Sequence, residues 1–259
     1  MTFFKTIAAA FAMFSKIPMP RVDWTPKTMR YMMCAFPLVG TVAGALFWGW
    51  GALCASLGIG SALRAAGLVL IPVAVSGGVH LDGFCDTADA LASHAETERK
   101  LEILKDSHTG AFAVISVCSW FLLYFAFFCE LDFQPRLFGA VAIGFTLSRS
   151  LSGFAVASFP CAKNSGLLHT FADGAAKRSA RVVLGLMALL CAAGMVLLAG
   201  WSGALCAAAA AVVFCWYYLM ARRQFGGITG DIAGWFVQVC ELSMAGAAVL
   251  GGLIAGVIG

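Results

Sequence analysis

Charge is scarce in this chain. Of its 259 residues only 12% are Asp, Glu, Lys or Arg, while 61% are hydrophobic. A soluble globular domain carries about 25% charged residues, so the shortage excludes an ordinary soluble fold and points to an integral membrane protein. No segment longer than about thirty residues has soluble-domain composition. Histidine is also rare, with four. None lies at zinc-ligand spacing from a cysteine and there is no CxxC pair, which excludes the common zinc frameworks. Ten cysteines are present, but Cys118, Cys191, Cys206 and Cys215 sit in apolar runs and behave there as small hydrophobes. The net charge is only +4. Its basic residues lie in short patches beside apolar runs, which excludes a nucleic-acid surface.

What the chain has is apolar length. A spanning helix needs about 20 predominantly apolar residues. Met32 to Leu63 and Ala65 to Leu81 carry no charge and are divided by Arg64; Thr109 to Cys129 follows. Leu137 to Ala162 is interrupted only by Arg149, and Ile232 to Gly259 only by Glu241. Val182 to Ala221 runs forty residues without a charge, enough for a hairpin that turns at "GWSG", Gly200 to Gly203. These runs predict an all-α polytopic membrane protein, a single domain over 1–259 with about seven transmembrane helices. The N-terminal "MTFFKTIAAAFAMFSKIPMPR" lacks a clear cleavage site and is interrupted by Lys16. It reads as a short amphipathic or re-entrant helix at the membrane surface.

Segments 1–31, 80–108, 163–181 and 222–231 together hold fourteen of the seventeen Lys and Arg. By the positive-inside rule these face the cytoplasm, with the N-terminus inside and the C-terminus outside. Asp82, Asp86, Asp89, Asp106 and Asp231 are then expected on the cytoplasmic side of the membrane.

On that side the stretch "GGVHLDGFCDTADALASH" gathers Asp82, Asp86 and Asp89 at i, i+4, i+7, along one face of a helix. A single Asp there reads as a helix cap. Three on one stripe, with no interleaved Lys or Arg, favour a site for Mg²⁺ beside substrate phosphates. Asp106 in "KDSHTG" either completes that set, with Lys105 meeting a phosphate, or lies in a segment where Ser107 and Thr109 cap the next helix. His80 and His108 bracket the 80–108 catalytic loop as acid–base candidates. Arg149 and Glu241 lie at membrane depth, where charge is expensive. Either they pair with each other, or Arg149 reaches a substrate phosphate. Asp231 in "GGITGD" is an N-cap or a further ligand.

"FSKIPMP", "FPLVG", "GGVHLDGFCDTADAL", "EILKDSHTGAF", "SRS" and "FGGITGD…CEL" follow in an order and spacing that resembles the cobalamin synthase family, the adenosylcobinamide-GDP ribazoletransferases. The resemblance runs from about Phe14 to Leu242. It implies that a ribose hydroxyl of α-ribazole, or of α-ribazole 5′-phosphate, attacks the cobinamide-side phosphorus of adenosylcobinamide-GDP and releases GMP. It implies Mg²⁺ as cofactor, held by Asp82, Asp86, Asp89 and Asp106 as catalytic and metal residues, with Asp89 a candidate to orient or deprotonate the hydroxyl. His80, Lys105, Arg149, Asp231 and Glu241 become substrate-binding candidates. Partners implied are the two substrates, the lipid bilayer and other corrinoid-assembly enzymes, with no nucleic acid. Ile228, Gln238 and Ala90 depart from the family pattern. Two rival readings remain: a CDP-alcohol-type membrane phosphotransferase, with a partly similar multi-aspartate element, and a cation transporter with acids along several helices.

Overall fold

Long apolar runs satisfy their backbone groups internally, and in lipid only helices or closed barrels do so. The computed structural model describes residues 2–22, 24–25, 29, 31–162 and 176–258, and the regular elements among them are helices. In chain order these are α1 (Thr2–Phe14), α2 (Met32–Ser56), α3 (Ser61–Ser76), α4 (Val79–Ala92) and α5 (Thr97–Ile103). They continue with α6 (Ala111–Glu130), α7 (Pro135–Ser158), α8 (Ala176–Phe225) and α9 (Gly230–Ile258). Most of the 163–181 segment assigned above to the cytoplasm, and part of 1–31, lies outside the described residues.

Five of these helices are long and apolar enough to cross a membrane, or six if α3 and α4 count as one bent span. The exact count of seven is not confirmed by length and composition, for two reasons. The run from Ala65 to Leu81 does not form one span: α3 stops after 16 residues. Gly77 (φ 64°) and Gly78 (φ 81°) then take the left-handed conformation that favours glycine, and α4 leaves at 94° to α3. Secondly, Val182 to Ala221 lies within one 50-residue element, α8, in which two helices meet at a kink and count as one. At about 1.5 Å per residue it far exceeds the ~30 Å hydrocarbon core. Its backbone breaks at Gly200 (φ 55°, ψ −124°), and a Cβ on Gly203 would collide with the Met195 carbonyl. The chain folds back at the predicted turn.

The 80–108 segment is mostly helix rather than loop: α4 and α5 occupy much of it. Buried Lys100 of α5 donates to Gln224 Oε1 at the end of α8, which fixes Lys105 just beyond.

The most buried helix is α7, which packs on α2, α8 and α9. Gly40 and Gly44 of α2 stand against the carbonyls of Phe145 and Ala142, so close that neither position has room for a Cβ. This is the small-xxx-small approach of packed membrane helices. Beside it Phe47 meets Phe128, Phe138 and Phe145 at ring separations of 5.1, 5.6 and 5.3 Å. Away from this core, Leu122, Leu189, Leu190 and Leu197 are largely exposed, as a lipid-facing surface requires. Arg64 is buried at the start of α3 and donates to the Leu131 carbonyl at 2.8 Å, clamping α3 to the end of α6.

Candidate active site

The aspartate helix α4 is positioned by glycines. A Cβ on Gly83 would stand 2.7 Å from the Asp231 carbonyl oxygen, and one on Gly234 would stand 3.1 Å from the His80 carbonyl oxygen. α4 and α9 therefore cross nearly backbone to backbone, and the first turn of α9 delivers Asp231 to the aspartate stripe. The turn before α9 is held from its other side. Ala162 N–H donates to Ile228 O (3.0 Å) and Ile228 N–H to Pro160 O (2.9 Å). Ile228 is 1% exposed, which accounts for an apolar residue there. Thr229 Oγ1 is 3.4 Å from Asp231 Oδ2 and accepts the Ile232 N–H at 3.3 Å.

At the crossing, Asp82, Asp89 and Asp231 lie within reach of the charge on Asp86. Partial burial, then the charges of Asp82, Asp231 and Asp89, push the half-buried Asp86 carboxyl up to about 6. Such repulsion is what a cation relieves, and the oxygen donors are those Mg²⁺ prefers. The donor chemistry thus fits the metal, although among the described residues no three His, Cys, Asp or Glu side chains are grouped closely enough to hold an ion.

Asp89 has a second task. Its Oδ2 accepts Gly110 N–H at 2.6 Å and its Oδ1 accepts Ala113 N–H at 2.8 Å. It caps α6 from another helix, a role the sequence offered to Ser107 and Thr109. Gly110 is needed there because a Cβ would meet the carboxylate at 2.7 Å. Asp106 stands apart from the four. It is exposed, accepts His108 N–H at 3.0 Å and lies 2.6 Å from His108 Nδ1. Those bonds, the backbone one foremost, hold its carboxyl below the usual range.

A cavity of about 370 Å³ opens beside the crossing. Its wall is mostly apolar, with Phe14 and Phe36 among the residues lining it, and its polar groups include His80, Asp82, Lys105, Thr229 and Asp231. His80 is 5% exposed and packs against Phe36, with ring centroids 5.5 Å apart. Asp86, Asp89 and Asp106 do not line this cavity, nor do Arg149 and Glu241.

Arg149 and Glu241 find each other instead. Arg149 Nη1 donates to Glu241 Oε1 and, at 2.9 Å, to the Phe145 carbonyl. Ser148 Oγ donates to the same Glu241 oxygen at 2.9 Å. Both residues are buried, at 0% and 3% exposure. Of the two alternatives for Arg149, the mutual pair between α7 and α9 describes this arrangement. Spacing gave no hint of the glycine contacts at Gly83 and Gly234, nor of Lys16, whose stem lies across Gly77.

Residues 6–249 match the model of a family described as cobalamin-5-phosphate synthase. An adenosylcobinamide-GDP ribazoletransferase of Lachnoclostridium phytofermentans is 42% identical over 96% of this chain and 95% of its own. Proteins of the same name from Geobacillus kaustophilus and Pseudomonas savastanoi are 34% and 35% identical. They cover 92% and 87% of this chain and 92% and 89% of their own. No solved structure matches. With its family match nearly end to end, and the family's aspartate motif folded against α9, the chain belongs to the cobalamin-5-phosphate synthase family.

Proposed function

We propose that this protein joins adenosylcobinamide-GDP to α-ribazole or α-ribazole 5′-phosphate in a bacterial cytoplasmic membrane. The observation that carries the reading is Asp82 and Asp231, whose charges with that of Asp89 act on Asp86, lining a cavity shared with Lys105. A ribose hydroxyl oxygen bonds to the cobinamide-side phosphorus, the bond from that phosphorus to the bridging oxygen breaks, and GMP leaves with the bridge. The hydroxyl proton passes to a carboxylate and then to solvent. Catalysis of this kind is mainly positioning and charge neutralisation.

Asp82 is exposed on the cavity wall and suits the hydroxyl. Asp89, the first candidate for that role, has both oxygens engaged at α6. Asp82, Asp86 and Asp231 are the residues that would hold Mg²⁺, with Asp89 adjoining them. When bound, the ion would offset charge on the diphosphate and on departing GMP. Lys105, which lines the same cavity, contacts phosphate. At about 370 Å³ the cavity accommodates only part of so large a donor, so the corrinoid extends outward toward the cytoplasm. The asymmetry of Lys and Arg supports that orientation, with the N-terminus inside.

The family match favours this reading over a CDP-alcohol phosphotransferase. A transporter would place acids within several crossing helices, whereas the acid deep in the bundle, Glu241, is tied to Arg149. The test is GMP release by purified protein supplied with donor, acceptor and Mg²⁺. Asp82→Asn and Asp86→Asn are expected to abolish it, and wild-type rates in both would sink the assignment.

A further inference from the structure

We propose that the first turn of α4 and the ammonium of Lys16 form an anion subsite for a substrate phosphate, an inference that rests on the transferase reading above. α4 starts at Gly78 with no side-chain cap. Its first internal bond runs from Asp82 N–H to Gly78 O at 2.8 Å. The amides of Val79, His80 and Leu81 precede that bond and have no intrahelical acceptor. They lie at the positive end of the helix dipole, a combination that holds phosphate elsewhere. The approach is open, because nothing lies within 4 Å of where a Gly78 Cβ would be.

A free helix start is common, and two independent observations single this one out. His80, in that same turn, is 5% exposed and lines the cavity, yet its Nε2 has no hydrogen-bond partner. A buried polar atom without a partner is costly, and a ligand group removes that cost.

The second observation is Lys16. Its N–H donates to the Val75 carbonyl at 2.9 Å, pinning the chain to the end of α3. Its Cε and Cδ lie 2.6 and 2.9 Å from where a Gly77 Cβ would sit, so the stem crosses the hinge flat against a residue without a side chain. Among the described residues the ammonium has no ion-pair partner. A phosphate at the hinge meets the α4 amides and Lys16.

Two phosphates have this chemistry: the diphosphate of the donor and the 5′-phosphate of the phosphorylated acceptor. In full-length protein in detergent, inorganic pyrophosphate is expected to slow amide exchange at 79–81. Lys16→Gln should remove that protection and Lys16→Arg should keep it. With the unphosphorylated riboside as acceptor, Lys16→Gln raises the donor KM about tenfold if the diphosphate occupies the subsite, as expected for a lost charge-assisted bond. If the acceptor phosphate occupies it, only the KM of the phosphorylated acceptor rises. Unchanged KM values together with unprotected amides overturn the proposal. So does a fall in kcat and thermal stability at constant KM, which makes Lys16 a strap on the hinge. Pyrophosphate protection in a wild-type protein that releases no GMP would overturn the transferase reading and leave the subsite standing.

Discussion

Gly83 of α4 rests on the backbone of Asp231 in α9, with 2.7 Å between the Asp231 carbonyl oxygen and the place a Gly83 Cβ would take. Backbone cannot yield as a flexible side chain can. Gly83→Ala should therefore separate the two helices by several tenths of an ångström and cost about 1–3 kcal/mol, as overpacking does. GMP release should fall at least tenfold while both substrates still bind, because Asp231 recedes from Asp82 and Asp86. Kinetics and thermal melts in detergent measure both.

The raised carboxyl of Asp86 gives a pH dependence whose sign is fixed. Its folded value, about 6, lies above the 3.8 of the free group. The charged form is thus penalised in the folded protein. The penalty is fully present above about pH 6 and vanishes as pH falls toward 4. Metal-free protein should become more stable over that interval, and Asp86→Asn should flatten the dependence. Protons also compete with the cation, so the Mg²⁺ concentration for half-maximal GMP release should rise below pH 6. A metal titration at pH 5.5 and 7.5 tests this, and identical midpoints would contradict it.

Asp89 separates two functions. Asp89→Ala removes the acceptor of two α6 amides and should cost about 1–2 kcal/mol, the scale of a lost helix cap. Asp89→Asn retains a carbonyl acceptor and should recover about half of that. If Asp89 also serves the cation, Asn will restore stability without restoring activity.

Glu241→Ala alone strands a buried guanidinium and should cost about 3–5 kcal/mol, whereas Arg149→Met with Glu241→Leu should recover most of that loss. Neither residue lines the cavity, so the refolded double variant should keep its KM values. A large rise in donor KM in the stable double variant would place Arg149 on the substrate.

Much of this was legible in the residues themselves, for reasons of period and cost. Charge-free runs marked the helices, "GWSG" marked the reversal in α8, and the i, i+4, i+7 spacing aligned Asp82, Asp86 and Asp89. The expense of burying Arg149 and Glu241 named their pairing as one of two alternatives. Local pattern failed where geometry depends on a distant helix. Nothing near Asp89 says that its oxygens are bonded to α6, and a sequence cannot show that His108 engages Asp106. Asp231 reaches the site through contacts at Gly83 and Gly234, and the absence of a side chain leaves no periodic signal. The same silence hid the bend at Gly77 and Gly78, which prolonged an apolar run that the backbone cuts.

That bend has a consequence for biosynthesis. Two residues without side chains join α4 to α3, so the orientation of the aspartate helix is not dictated by the segment inserted before it. Besides α6, its close support is α9, whose Asp231 emerges from the ribosome 149 residues after Asp82. Until that last segment arrives, a growing chain carries the aspartate motif held by α6 alone, without the second surface that orders it. The carboxylate cluster is therefore a property of the completed polypeptide, and partial chains would sit in the membrane with no grip on metal or nucleotide.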